Sequence, residues 1–193
     1  MNWSLPLKKL PYIALWVMLI LLAASNVLLI RQNLQMRSQL EKFQPKVLQP
    51  GEEVQPFSAQ GLNGESITIN YTGEETKRVL LYFTPSCPYC HEQFSYWKEL
   101  LNRVNRNRFQ VLGLVSESED KKKVNEYPSS VGCESMRVAL VPKGVLNSYK
   151  LSMTPTTIVV ENTGKVEKAW AGKWNSEIAA SASSIFGFSF SSQ

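Results

Sequence analysis

From Leu10 to Ile30 the chain reads LPYIALWVMLILLAASNVLLI, without one charged side chain. At about 1.5 Å per residue such a run crosses a hydrocarbon core of roughly 30 Å, and it predicts a transmembrane helix. A cleaved signal peptide is the rival reading, with Lys8 and Lys9 as a basic flank and Ala23-Ala24-Ser25 as small residues for a peptidase. Against it, VLLI continues the apolar run, and RQNLQMRSQLEKF extends a helical pattern with Leu34, Leu40 and Phe43 among polar residues. The expectation is an uncleaved signal anchor over residues 1–31, a cytoplasmic tip included. Counting Lys8 and Lys9 against Arg31, Arg37, Lys42 and Lys46 mildly favours the wrong orientation for an exported domain. Topology therefore has to come from the chemistry of the remainder.

Three prolines and a glycine in QPKVLQPGEEVQPF favour extended and turn backbone, so residues 32–53 are expected to link the anchor to a domain over 54–186. The chain has 193 residues, enough beyond the anchor for one core of ordinary size. The Ser-rich tail, 187–193, is expected to fray. Net charge is +5, but no arginine-rich stripe with interleaved aromatics tracks a phosphate backbone, which argues against nucleic acid as a partner. The charge run EDKKKVNEY carries both signs and reads as a solvated loop or short helix face.

Within the domain, FSAQGLNGESITINY predicts a hairpin turning at Asn63-Gly64. RVLLYF and FQVLGLVS are apolar runs of the kind found in strands buried on both faces. Between them Phe94, Trp97, Leu101 and Val104 recur at helical spacing, so the two strands are expected to be parallel with a right-handed crossover. MRVALV predicts a further strand and Val145–Tyr149 a short helix. TTIVVEN and GKVEKAWAG read as a second hairpin, and SEIAASASSIF as a final helix with Ser176 as N-cap. The fold class is α/β: a mixed central sheet with helices on both faces.

FTPSCPYCHEQF places Cys87 and Cys90 two residues apart, directly after a buried strand. Cys87 as N-cap and Pro88 as first helical residue would aim backbone N–H groups at the Cys87 sulfur, favouring its thiolate. Cys90 lies one turn down the same face, where it can attack a mixed disulfide made by Cys87. Zinc would need further ligands than Cys133 and the lone His91, and a structural disulfide in so small a loop stabilises little. Cys133 is a free thiol, a transient partner or a buried small hydrophobe. Pro155, immediately before a strand in LSMTPTTIVV, is either an ordinary trans-proline or a cis-proline loop opposite the CxxC that offers the Thr154 backbone to an extended substrate. Tyr89 presents an aromatic edge beside the sulfur.

VLLYFTPSCPYC, the helix after it, YKLSMTPTTIVVENTGKVEKAWAG and the earlier PFSAQGLNGESITI resemble, in order and spacing, the membrane-anchored thioredoxin-like proteins of the TlpA/ResA type. The resemblance implies a thioredoxin fold, a redox dithiol at Cys87 and Cys90, a cis-Pro155 preceded by Thr154, and a domain held on the periplasmic side of the cell membrane by a single-pass anchor. The family often carries a glutamate three residues after the second cysteine and a proline two further on; here these are Gln93 and Ser95. TPSCPYC is also similar, more narrowly, to MauD-like accessory proteins. The implied activity is thiol–disulfide exchange with a client protein, as a reductase of the cytochrome c maturation type fed by a membrane electron donor. It requires no metal or organic cofactor. Oxidation, isomerisation, MauD-like maturation and non-catalytic client binding are the rivals.

Overall fold

A computed structural model describes residues 10–43, 46–71 and 75–191 of the chain. Lys8 and Lys9, and the last two residues of the tail, lie outside the described residues. The chain divides into two compact units, Met1–Gln44 and Pro45–Gln193.

In the first unit, α1 runs from Leu10 to Phe43. Residues Tyr12–Arg37 are long and apolar enough to cross a membrane, and their side chains are exposed along the helix. The helix thus passes through the start of the expected linker, because residues 32–43 contain neither glycine nor proline to stop it. The rest of that linker belongs to the second unit. Leu48 and Val54 are buried, the Gly51 amide donates to the Val166 carbonyl, and Glu53 bridges to Lys165.

The second unit is built on one mixed seven-stranded sheet in the order β2-β1-β5-β4-β3-β6-β7. Its strands are β1 (Phe57–Gly61), β2 (Ser66–Ile69), β3 (Lys77–Tyr82), β4 (Phe109–Ser116), β5 (Val138–Val141), β6 (Thr156–Val160) and β7 (Val166–Ala171). The β3–β4 and β4–β5 pairs are parallel and the others antiparallel. Both expected hairpins form, β1–β2 and β6–β7. The sheet and its flanking helices have the thioredoxin-like arrangement.

Strand β3 shows why its sequence is almost uniformly apolar. Successive side chains point to opposite faces, so Val79, Leu81 and Phe83 enter one core while Leu80 and Tyr82 enter the other. The first core packs α2 (Pro88–Arg103), α3 (Lys121–Ser130) and α5 (Ser176–Phe186) on the sheet, and the second takes α4 (Lys143–Ser148) with Tyr149 and Leu151. The Trp97 indole N–H donates to Thr157 Oγ1 at 3.0 Å, tying α2 to β6 through the first core. Gly113, opposite Leu81 in the β3–β4 ladder, leaves room for neighbours: a Cβ there would come within 3.1 Å of the Phe83 ring and 3.2 Å of the Met136 methyl.

EDKKKVNEY takes the helical of its two expected forms: Asp120 caps α3 by accepting from the Lys122 amide, and Val124, Tyr127 and Pro128 are buried. Two local features differ from the sequence expectation. Asn175, not Ser176, caps α5, its Oδ1 accepting from the Ile178 amide at 2.8 Å. The tail packs through Gly187–Ser191, with the Phe190 ring edge-on to Trp174 and Phe186. Apolar residues alternating with serine supply rings that a frayed end would leave in water.

Replacing Asn175 by Ala is expected to lower stability by about 1 kcal/mol, read as a shift of the denaturation midpoint. Ser176→Ala should leave that midpoint in place, and the reverse result would return the cap to Ser176.

Candidate active site

The C-terminal end of β3 carries the chain into a short turn, Thr84 to Ser86, closed by the Cys87 amide donating to the Thr84 carbonyl. Cys87 has extended backbone and is the N-cap of α2; Pro88 follows as the first helical residue, where a missing N–H costs nothing. The Cys87 carbonyl accepts from the Cys90 amide at 3.1 Å and the His91 amide at 3.4 Å, which starts the helix. This leaves the Cys87 sulfur at the positive end of the helix dipole.

The second component arrives from β6. Pairing of Tyr82 with Thr156 across the β3–β6 ladder brings the residues before β6 against those after β3. The Thr154–Pro155 peptide is cis, and the Thr154 carbonyl stands 3.6 Å from the Cys87 sulfur, which donates to it. Two hydrogen bonds hold this loop: the Thr156 hydroxyl to the Met153 carbonyl at 2.8 Å, and the Gly172 amide to the Pro155 carbonyl at 2.7 Å. Cys87, Cys90, Thr154 and Pro155 therefore converge at one end of the sheet. Tyr89 stands beside them with 62% of its surface exposed, and Met153 with 37%.

The two thiols have unequal surroundings. Partial burial pushes Cys87 up, but hydrogen bonding to Thr154 and Cys90 and to the backbone at Cys90 and Tyr89 outweighs it and holds the thiol below its ordinary value. Cys90 is 0% exposed, and burial above all pushes its thiol up to about 12; its hydrogen bond with Cys87 and the Cys87 charge add to the shift. Cys133 is buried in the first core and is likewise pushed up by burial. All three cysteines are free thiols. Such a pair offers one accessible sulfur that ionises readily and a second that stays protonated in the dithiol state, placed for intramolecular attack.

Other residues around the pair come into view only with the fold. Glu119, in the turn after β4, lies 3.5 Å by its Oε1 from the Thr84 hydroxyl. Tyr127 of α3 packs its ring edge-on to His91, with centroids 4.9 Å apart. His91 is exposed on its helix, and Glu92 pairs with Lys173 at the surface. Gln93 is completely buried, and its Oε1 accepts from the Trp174 amide at 2.7 Å. No spacing in the sequence announced Glu119 or Tyr127, although Val124 and Tyr127 three apart are a trace of the helix that carries the tyrosine. Among the described residues no group of three or more His, Cys, Asp or Glu is placed to hold a metal ion.

The chain is similar to known proteins in sequence and in fold. The AhpC/TSA family profile fits residues 50–169. The thiol-disulfide oxidoreductase ResA of Halalkalibacterium halodurans is 25% identical over 123 residues, covering 63% of this chain and 68% of that protein. A thioredoxin-like protein of Haemophilus influenzae is 28% identical over 123 residues, 63% of this chain and 70% of its own. Among solved structures, the thioredoxin domain of a thiol-disulfide oxidoreductase from Bacteroides vulgatus superposes with a TM-score of 0.59 at 16% identity, covering 72% of this chain and 99% of that one.

The thiol shifts predict a pH dependence for the reduced protein. A depressed thiol pKa, as at Cys87, means the unfolded chain binds more protons, so stability rises with pH through the interval below the ordinary thiol value of about 8.5. Raised values, as at Cys90 and Cys133, mean the native state keeps protons that the unfolded chain loses, so stability falls above it. The melting temperature of the dithiol form is expected to decline from about pH 8.5 upward. Brief alkylation near neutral pH, read by peptide mass, should label Cys87 first and spare Cys90 and Cys133; equal labelling would contradict the asymmetry.

Proposed function

This chain belongs to the AhpC/TSA family, and on that premise we propose that it is a membrane-anchored thiol–disulfide oxidoreductase acting through Cys87 and Cys90. The observation that carries the reading is the inequality of the two sulfurs. Cys87, ionising easily and partly exposed, attacks the disulfide of a client and forms a mixed disulfide; Cys90, one turn below, attacks Cys87 and releases the client thiol. Thr154 and cis-Pro155 hold an extended client segment by its backbone, with Tyr89 as an apolar contact beside the reacting sulfur. No metal or organic cofactor takes part.

The α1 helix anchors the domain, and the domain works on the periplasmic side of the cell membrane. This topology is supported by resemblance to the ResA type and by the chemistry of an exported dithiol. In an oxidising compartment such a pair remains reduced only if a membrane dithiol relay resupplies electrons. Reduction of client cysteines, of the kind needed in cytochrome c maturation, is accordingly the preferred direction.

The deciding measurement is the reduction potential of the Cys87–Cys90 pair in the purified full chain in detergent, by equilibration against glutathione or dithiothreitol. A value near thioredoxin's, about −270 mV, is expected for a reductase. A value near DsbA's, about −120 mV, would make the protein an oxidant. Cys90→Ser should accumulate a mixed disulfide with a peptide disulfide, and Cys87→Ser should abolish exchange. Full function with Cys87→Ser would leave only a client-binding module.

A further inference from the structure

Tyr127 is 5% exposed, and its hydroxyl is buried without a hydrogen-bond partner among the described residues. Such groups are rare in folded proteins, because a donor taken out of water loses its partners there and gains none inside. A phenylalanine would fill the same space without that loss.

The ring is held from three sides. It stacks on Phe83, with centroids 5.5 Å apart and planes at 23°, and meets Phe94 and His91 edge-on at 5.3 and 4.9 Å. Phe83 directly precedes the turn into α2, His91 adjoins Cys90 in sequence, and Phe94 lies one helical turn beyond Cys90 on the same side. The ring therefore sits in the corner where β3 passes into α2, within the buried cluster that also contains Cys90. Burial, then the charge on Cys90, then that on Cys87 push the Tyr127 hydroxyl upward, so it keeps its proton and lies in the field of both sulfurs. The other groups around this corner are Glu119 beside Thr84, the backbone of Thr84, and His91; Tyr82, on the opposite face of β3 and kept protonated by burial, also feels the Cys90 and Glu119 charges.

We propose that the Tyr127 hydroxyl is a hydrogen-bond donor held for the Cys90 sulfur, engaged when that thiol becomes a thiolate in the resolving step. The role rests on the dithiol-exchange reading above. In the dithiol state the hydroxyl and the sulfur make no hydrogen bond; a thiol is a weak acceptor, and a thiolate a strong one. In the step itself the Cys90 thiol gives up its proton and its sulfur attacks Cys87 in the mixed disulfide. The Cys90–Cys87 bond forms, the bond from Cys87 to the client breaks, and the departing client sulfur takes the electron pair and a proton. Tyr127 keeps its own proton throughout. Its O–H dipole stabilises charge that would otherwise develop in an apolar corner.

The test is stopped-flow reaction of the full reduced chain in detergent with a fluorescently labelled peptide disulfide. It separates a concentration-dependent attack by Cys87 from a concentration-independent release of the peptide thiol. Tyr127→Phe is expected to slow release on the order of tenfold, about the effect of losing one hydrogen bond to a charged group, and to leave attack unchanged. A fluorotyrosine at the same position, a stronger donor in the same ring, should speed release. Unchanged release in Tyr127→Phe would overturn the proposal, and so would an equal fall in both phases with a lowered melting temperature, which marks a packing role. A wild-type chain that shows no attack phase would instead remove the oxidoreductase reading, and the proposal with it.

Discussion

The antiparallel register of β3 against β6, with Tyr82 opposite Thr156, is the constraint on which the site depends. It brings the turn that follows one strand against the loop that precedes the other, so the Cys87 sulfur meets the Thr154 carbonyl across 67 positions of sequence. Because side chains alternate along a strand, a slip of one residue would turn every side chain of β3 to the wrong core and also displace the loop from the helix end. Burial on both faces locks the register. The packing free energy of the domain and the geometry of its chemistry therefore come from the same pair of strands.

On that frame, two chemically identical side chains are distinguished by depth and by the hydrogen bonds available at each depth. Cys87 caps the helix at the surface, where backbone dipoles and Thr154 offset the cost of charge. Cys90 lies one turn lower, where the apolar core makes the same charge costly. In the proposed exchange the helix pitch sets the order of events, because positions three apart share a face but not a depth.

Much of this was legible in the sequence because it is periodic or covalently local. The two-faced apolar run of RVLLYF, the helical spacing from Phe94 to Leu101 and the Pro88 that starts the helix each express one element without help from elsewhere. The meeting of Cys87 with Thr154–Pro155 was approached by resemblance, since no local pattern states which strand lies beside which. What could not be read is what depends on tertiary burial. Asp120 begins a helix whose lysine-rich first turn hides the inward side of Val124 and Tyr127. Phe190 looks like part of a serine-rich end until Trp174 and Phe186 are placed beside it. Asn175 and Ser176 are both competent caps, and only the backbone geometry at the start of α5 separates them.

Gly113 shows how far the dependence reaches. It carries no side chain, bears no charge and lies in the middle of β4, yet the volume it leaves empty is part of what the Phe83 ring and the Met136 side chain use. A methyl group there would press on Phe83, and Phe83 is the face on which the Tyr127 ring lies flat. The site thus inherits a dimensional tolerance from a position that takes no part in its chemistry: alanine, ordinarily the mildest replacement for glycine in a strand, would act here as a wedge whose displacement passes from ring to ring toward the cysteine pair.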